Sequence, residues 1–397
     1  MQSQNLLFIF KDRKSVTLNH DFWVDKFKNK FNVFTLFLND KIQLSNNEII
    51  LKINNFILKE DISTILLEGD HAHIIDDEFI KKISSNVKKG IFLGDDMVWH
   101  LVNLITAQQC DFVFTSEPIS SYKFQELGVK SLFVPVEANG KIFKERNLKK
   151  IYDVLHFGRN KTIRSDYLNY LLDNNVKVKI VSPYDEEANT VEKLAKLISQ
   201  SKIVINFEKS SNGNRAFNPL KLFKHFYQTK GRIQMSGISN VLCVSEYSPS
   251  SEILYPQELP FFETKEECLK KIKFYLDNET EFNEATKRFN LKSLEYEDSR
   301  YITKVENFIN KIKRKNDTDR FKPPIWYKYL FINQTFRLRL KHKCFMSFFK
   351  EFLSKLYCLK DYSFPKNILI FFITILLFIR YLPFIIIKKI INFSQDK

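Results

Sequence analysis

The feature that most restricts the fold is a rhythm of short apolar runs, each long enough for one buried strand, separated by stretches with room for a helix. In the first third of the chain the runs cover residues 6–10, 33–38, 62–67, 90–93, 112–115 and 131–134. Polar-apolar stretches such as 76–88 and 97–109 lie between them. Runs that are apolar throughout, rather than alternating, suit strands covered on both faces. Strands that alternate with helices build a mostly parallel sheet with helices on both sides. The rhythm breaks over Glu137-Ala138-Asn139-Gly140-Lys141 and a charged run to Lys150, then resumes at 153–157, 178–181, 203–207 and 241–245. The expected architecture is therefore α/β. It has two doubly wound Rossmann-like domains, residues 1–145 and 151–310, and a separate tail at 311–397.

In open α/β sheets ligands bind beyond the carboxyl ends of the strands, so the residues just after each run carry the functional information. In the first half these are Glu68-Gly69-Asp70-His71-Ala72-His73, Gly94-Asp95-Asp96 with His100 a turn later, and Ser116-Glu117-Pro118. Taken singly, Asp70 and Glu117 are expected to cap the helices that follow. Three acidic loops on one sheet edge also make that edge a candidate site. The His71/His73 pair and the Asp95-Asp96 pair fix no third and fourth ligand, so no metal is expected. The first run is followed by Lys11-Asp12-Arg13-Lys14 rather than a glycine fingerprint, which counts against an NAD or FAD domain.

The second half carries cations at the corresponding places. Run 153–157 ends in Gly158-Arg159-Asn160-Lys161-Thr162-Ile163-Arg164. A glycine permits close backbone approach and the cations neutralise a diphosphate. It is not a Walker A loop. The loop at 208–218 is rich in Gly, Asn and Ser, with Asn214 and Arg215 as candidate contacts. The stretch from Lys230 to Leu276 reads as a turn, a short helix, a buried strand, Glu246 at its end, and a helix opened by Ser248-Pro249-Ser250-Ser251 with Glu252 nearby. A helix start there suits a phosphate. Glu246 suits ribose hydroxyls, and Arg232 suits a bidentate phosphate contact.

This stretch resembles the spore-maturation-protein-B-like glycosyltransferases of the GT-B fold. The likeness lies in Gly231-Arg232, in Ser245-Glu246-Tyr247 with Pro249 and Glu252, and in Phe262-Glu263-Thr264. It continues through Glu266, Glu267, Ile272, Tyr275 and Leu276. In the first half it includes Glu68-Gly69-Asp70, Gly94-Asp95-Asp96, Phe114-Thr115-Ser116-Glu117-Pro118, Leu127-Gly128 and Pro135, so it spans about residues 6 to 310. Gln234 and Met235 depart from it, since family members usually have an acidic residue shortly after the arginine. The resemblance implies transfer of a sugar from a nucleotide sugar to a cell-surface glycan or lipid-linked acceptor, as in polysaccharide and lipopolysaccharide biosynthesis. It implies no metal and no further cofactor. The donor would lie in the second domain on Gly158, Arg159, Lys161, Arg232, Glu246, Ser250, Ser251 and Glu252. Asp95, Asp96 or His71 would lie near the transferred sugar. A non-catalytic membrane-bound scaffold and a sugar-nucleotide epimerase remain open alternatives on the same fold.

Charge sets the tail apart. Residues 311–397 hold 19 Lys and Arg against 5 Asp and Glu, while the rest of the chain holds 43 against 41. Such asymmetry points to an anionic surface as partner. Phe345, Phe348, Phe349, Phe352, Leu356 and Leu359 recur at helical spacing, and Lys343, Lys350, Ser354 and Lys355 fill other positions. That pattern fits an amphipathic helix in a membrane interface. Residues 368–387 are nearly all apolar but contain Arg380 and Pro383, and a charge costs roughly 2.5–3.5 kcal/mol at the centre of a spanning helix. The expectation is a tail lying in the inner leaflet, with a single C-terminal span as second choice. So long an apolar segment argues against nucleic acid. Five scattered cysteines without a C-x-x-C pair fit a reducing compartment, and the run at 6–10 is too short for a signal peptide. The expected location is the cytoplasmic face of the membrane, peripheral or monotopic.

Overall fold

The computed structural model describes residues 4–10, 20–38, 44–69, 77–94, 96–135, 138–158, 162–182, 184–210, 226–316, 321, 323–324, 327, 349–350, 352–353, 368, 371–372, 374–381 and 383. The chain opens with β1 (Asn5–Phe10), α1 (His20–Lys28), β2 (Asn32–Phe37), α2 (Asn46–Lys59), β3 (Thr64–Gly69), α3 (Asp77–Lys82), β4 (Lys88–Leu93), α4 (Asp96–Gln109), β5 (Phe112–Thr115), α5 (Pro118–Glu126) and β6 (Ser131–Phe133). These strands form a six-stranded sheet in the order β2-β1-β3-β4-β5-β6, every pair parallel.

A second sheet begins with β7 (Tyr152–Phe157), α6 (Thr162–Asp173), β8 (Val178–Val181), α7 (Val191–Ser199) and β9 (Ser201–Asn206). A small antiparallel pair follows, β10 (Lys209–Ser210) and β11 (Phe226–Tyr227). Then come α8 (Arg232–Ile238), β12 (Leu242–Glu246), α9 (Pro249–Leu254), β13 (Phe261–Phe262), α10 (Lys265–Asp277), α11 (Glu279–Leu294) and α12 (Asp298–Lys311). The five-stranded order is β13-β12-β9-β7-β8, again parallel. In both sheets the first strand lies between the second and third. The crossovers therefore leave it in opposite directions, and a crevice opens at β1/β3 and at β7/β9.

Each sheet is apolar on both faces, as the unbroken runs predict. In the first, Leu7, Ile9, Ile65, Leu67 and Val113 join one buried cluster with α2 and α3, while Leu6, Phe8, Phe10, Leu66, Phe112 and Phe114 join another with α1. Successive side chains point to opposite faces of a strand. That second cluster also takes in Tyr301, Ile302, Val305 and Ile309 of α12. The chain thus returns from the second sheet to the first, and α12 ends at Lys311. At the seam Lys26, fully buried, lies 2.8 Å from Asp298 and also donates to the Pro135 carbonyl.

Local chemistry explains where helices start and stop. Ser45 and Glu48 form a reciprocal capping box on α2, with Ser45 N–H donating to Glu48 Oε2 at 2.7 Å. Thr264 caps α10 by accepting from the Glu267 N–H at 3.2 Å. The helix expected over 76–88 is shorter, Asp77–Lys82. Asn54 Oδ1 accepts the Ser84 N–H at 2.9 Å and Ser84 Oγ accepts the Asn86 N–H at 3.3 Å, so side chains take the backbone donors a helix would use. Among the described residues no helix is long and apolar enough to cross a membrane.

Candidate functional site

The described polar groups converge at the β7/β9 crevice of the second sheet. β7 ends at Phe157, and Gly158 follows with φ +122, an angle that residues with side chains rarely adopt. A Cβ at Gly158 would lie 2.2 Å from a guanidinium nitrogen of Arg232. The glycine therefore supplies both the turn and the space for that cation. Arg232, the first residue of α8, donates from Nε to the Phe157 carbonyl and from Nη1 to Asn206 Oδ1 at 3.2 Å. Its guanidinium stands 5.5 Å from the centre of the Phe157 ring. Arg164, in the first turn of α6, stands 6.0 Å from the centre of the Phe207 ring. Burial lowers its pKa, and the carboxylates of Glu246 and Glu208 oppose that shift. Buried His156, on β7, is kept neutral, far below the ordinary imidazole range, by burial and by Arg232 and Arg164.

Two buried carboxyl groups, Glu246 and Glu208, lie beside these cations. Glu246 ends β12, and its Oε2 accepts the N–H groups of Glu208 at 3.0 Å and Lys209 at 2.8 Å. Its Oε1 lies 3.2 Å from Lys209 Nζ. Glu246 thus fastens the segment after β9 to the end of β12. Glu208 accepts from Asn206 Nδ2 at 2.5 Å, and its second oxygen has no partner among the described residues. Asn206 links the whole group, since it also accepts from Arg232 and donates to Ser245 Oγ at 2.9 Å.

Glu117 comes from the other sheet. Its carboxylate accepts the Thr229 N–H, and the Thr229 hydroxyl at 3.3 Å, and it interacts with the Ser250 hydroxyl. Burial pushes Glu117 up to about 7, against the pull of Ser250 and Lys230. Burial likewise pushes Glu208 up to about 8, helped by the charge of Glu117. The domains therefore meet around two carboxyl groups and the Lys230 cation. The expectation that Glu117 caps α5 is overturned, because α5 has no side-chain cap bond. Pro118 at its start removes one N–H, and Thr229 offers a backbone donor and a hydroxyl together.

The other predicted residues fall in several places. Gly158, Arg232, Glu246 and Ser250 belong to this cluster. His71, Asp95, Arg159 and Lys161 lie outside the described residues, as do Asp70, His73, Asn214 and Arg215. Asp96 is buried and serves its own helix, with Oδ2 2.8 Å from His100 Nδ1 and Oδ1 accepting from Asn103 Nδ2 at 2.9 Å. Ser251 is buried with its hydroxyl unpartnered among the described residues. Ser248 begins α9 without capping it. Glu252 accepts from the Tyr247 hydroxyl at 2.8 Å on the exposed side. No group of three or more His, Cys, Asp or Glu among the described residues is arranged to hold a metal ion. Asn206, Glu208 and Lys230 are site residues that the sequence reading does not single out, whereas Arg164 is among the cations it names after Gly158. For Asn206 and Glu208 the signal was present, since they stand where β9 ends.

Two parallel doubly wound sheets, their carboxyl ends brought together and bridged by a returning helix, define the arrangement. The fold is GT-B. Anabaena Alr3699/HepE, solved in complex with UDP, aligns over 78% of this chain and 100% of its own, with a TM-score of 0.52 and 9% identity. A glycosyltransferase from Rickettsia africae ESF-5 aligns over 78% of this chain and 99% of its own, with a TM-score of 0.51 and 10% identity. Some larger structures are matched in part: the chain covers 59% of the pneumococcal O-GlcNAc transferase GtfA, with a TM-score of 0.44 and 8% identity. No family model matches the chain, and no curated protein sequence matches it.

Proposed function

We propose that the protein is a glycosyltransferase that takes a sugar from a nucleotide-sugar donor, and that it is related to the spore-maturation-protein-B-like group. The observation that carries the reading is the pair of guanidinium groups at the β7/β9 crevice, with Gly158 making room for one of them. A nucleotide diphosphate is the anion suited to such a site. Arg232 and Arg164, with Arg159 and Lys161 from the same turn, would neutralise the charge that builds on the leaving diphosphate. Ser250 and Ser251 would adjoin it. Glu246 holds the loop that borders the ribose and keeps one oxygen toward Lys209, and Glu252 would lie at the rim. No metal is needed where cations already serve.

Residues 1–145 would take the acceptor and residues 151–310 the donor. Asp95 or His71 would serve the acceptor hydroxyl, with Asp96 orienting His100 beside them. The acceptor would be a surface glycan or a lipid-linked sugar at the cytoplasmic face of a membrane, reached through the basic tail at 311–397.

The test is transfer. Full-length protein is incubated with each of a set of radiolabelled UDP-, GDP-, CMP- and dTDP-sugars and a membrane lipid extract, and label is followed into the lipid fraction. Transfer from one donor that disappears in Arg232→Ala supports the reading. A donor recovered with one sugar hydroxyl inverted, and no transfer, would identify an epimerase instead.

A further inference from the structure

The end of α12 leads into a segment fixed to the first domain. Ile312 joins the buried cluster beneath β1. Arg314 donates to the Ser85 carbonyl at 2.9 Å, and the Lys315 N–H donates to Asp111 Oδ1 at 2.8 Å. Gln109 of α4 donates to the Phe321 carbonyl. Tyr327 is fully buried against Val102 and Ile105, with its hydroxyl 2.8 Å from that of Thr106. The described residues between 312 and 327 thus form a strap from the turn before β4 to the middle of α4.

The tail then meets the same domain a second time. Lys350 Nζ lies 2.6 Å from Glu48 Oε1. Glu48 is in the first turn of α2, and α2 follows β2, so this contact is at the carboxyl edge of the sheet. Phe349 and Phe352 pack on Phe378 with ring centres 5.7 and 4.2 Å apart. Their packing leaves Leu353 62%, Phe372 56%, Leu376 64% and Ile379 55% exposed. Grouped exposed apolar side chains mark a surface that something covers. The charge of this part of the chain, 19 basic residues to 5 acidic, says what kind of surface.

We infer that this apolar face, carried by a segment of basic sequence, docks on an anionic phospholipid leaflet, and that the strap and the Lys350–Glu48 pair hold the first domain against the bilayer. The second domain then stands away from it. The inference deepens the membrane association proposed above. It adds the orientation: the first domain faces the lipid, so that a lipid-borne acceptor is reached from the bilayer while the donor arrives from solvent. The docking geometry does not depend on the donor assignment.

The test uses full-length protein with Cys344→Ser and Cys358→Ser, carrying a fluorophore at Leu51→Cys on α2 or at Leu291→Cys on α11. Vesicles of phosphatidylcholine, with or without phosphatidylglycerol, carry a quencher lipid. The expected result is binding about tenfold or more tighter to the anionic vesicles, with quenching at position 51 and little at 291. Leu376→Asp with Ile379→Asp should remove vesicle binding and leave nucleotide binding unchanged. Tyr327→Ala, or the milder Thr106→Val, should leave vesicle binding and even out the two labels. Nucleotide binding is read on the same samples, so a failed donor assignment leaves this test intact. Absence of vesicle binding by folded protein, or equal quenching at both positions, would overturn the proposal. So would a dimer that the double aspartate variant turns into a monomer, since the face would then be covered by a second copy.

Discussion

The two sheets share one strand order and one kind of crevice, yet their carboxyl edges are built differently. On the second sheet the strand ends face one another: Gly158 after β7, Asn206 and Glu208 at β9, and Glu246 on β12 form one connected group with Arg232 and Arg164. On the first sheet two acids turn elsewhere. Asp96 serves α4, and Glu117 crosses to Thr229 on the other domain. Topology alone therefore does not make a site. The cations and the glycine that admits them distinguish the second sheet, and the first contributes one carboxyl group to the seam.

Removing the cation should have the largest effect on the second sheet's site. Arg232→Ala is expected to weaken nucleotide-sugar binding about 10- to 100-fold, the worth of a charge-assisted contact of roughly 1.5–3 kcal/mol. Titration calorimetry reads it. Gly158→Val should reproduce the loss, because its side chain would occupy the guanidinium position and force φ +122 on a branched residue. Donor affinity unchanged by both variants would remove the distinction between the sheets.

The seam offers a contrasting effect on stability. Lys26→Met leaves Asp298 buried without its partner, and breaking a buried pair costs about 3–5 kcal/mol. Denaturant melts should show that loss while the donor affinity of the folded fraction is kept. A loss of affinity equal to that of Arg232→Ala would mean that seam and site are not separable.

The carboxyl pair predicts a pH dependence of definite sign. Glu117 and Glu208 have raised pKa values in the folded protein, about 7 and about 8, so the folded state holds protons that the unfolded state has released. Their contribution to stability is full below the ordinary glutamate range and is lost as pH rises through about 7 to 8. Thermal melts of Glu208→Gln should show a shallower decline between pH 5 and pH 8 than wild type. A steeper decline would contradict the burial argument. The smallest effect is expected at the rim, where Glu252→Gln weakens one exposed bond to Tyr247. Stability should change by less than about 0.5 kcal/mol, as for surface sites generally.

Much of the fold was legible in the sequence because a parallel sheet buried on both faces writes itself as unbroken apolar runs. The run at 112–115 became β5 and that at 178–181 became β8 with no shift at all. Gly158 and Arg232 were legible as a turn glycine and a basic helix start. Contacts made only by the tertiary fold were not. Nothing local in Ser116-Glu117-Pro118 says that the carboxylate will leave its own helix for Thr229. Nothing in the aromatic and basic run near Tyr327 says that its hydroxyl will be buried beside Thr106. Glu246 reads alone as a ribose ligand, yet two backbone N–H groups claim one of its oxygens.

The central claim is that a nucleotide diphosphate binds at the β7/β9 crevice through Arg232. The most direct measurement is calorimetric titration of the full-length protein and of Arg232→Ala with UDP, GDP, CMP, dTDP and their sugars. The full chain is required because the Phe321 carbonyl accepts from Gln109 of α4 and Tyr327 packs on the same helix. The expected result is saturable binding of one nucleotide and its sugar by the wild type, weakened at least about tenfold in the variant. Equal affinity in the two proteins, or no binding by folded wild type across the panel, would contradict it.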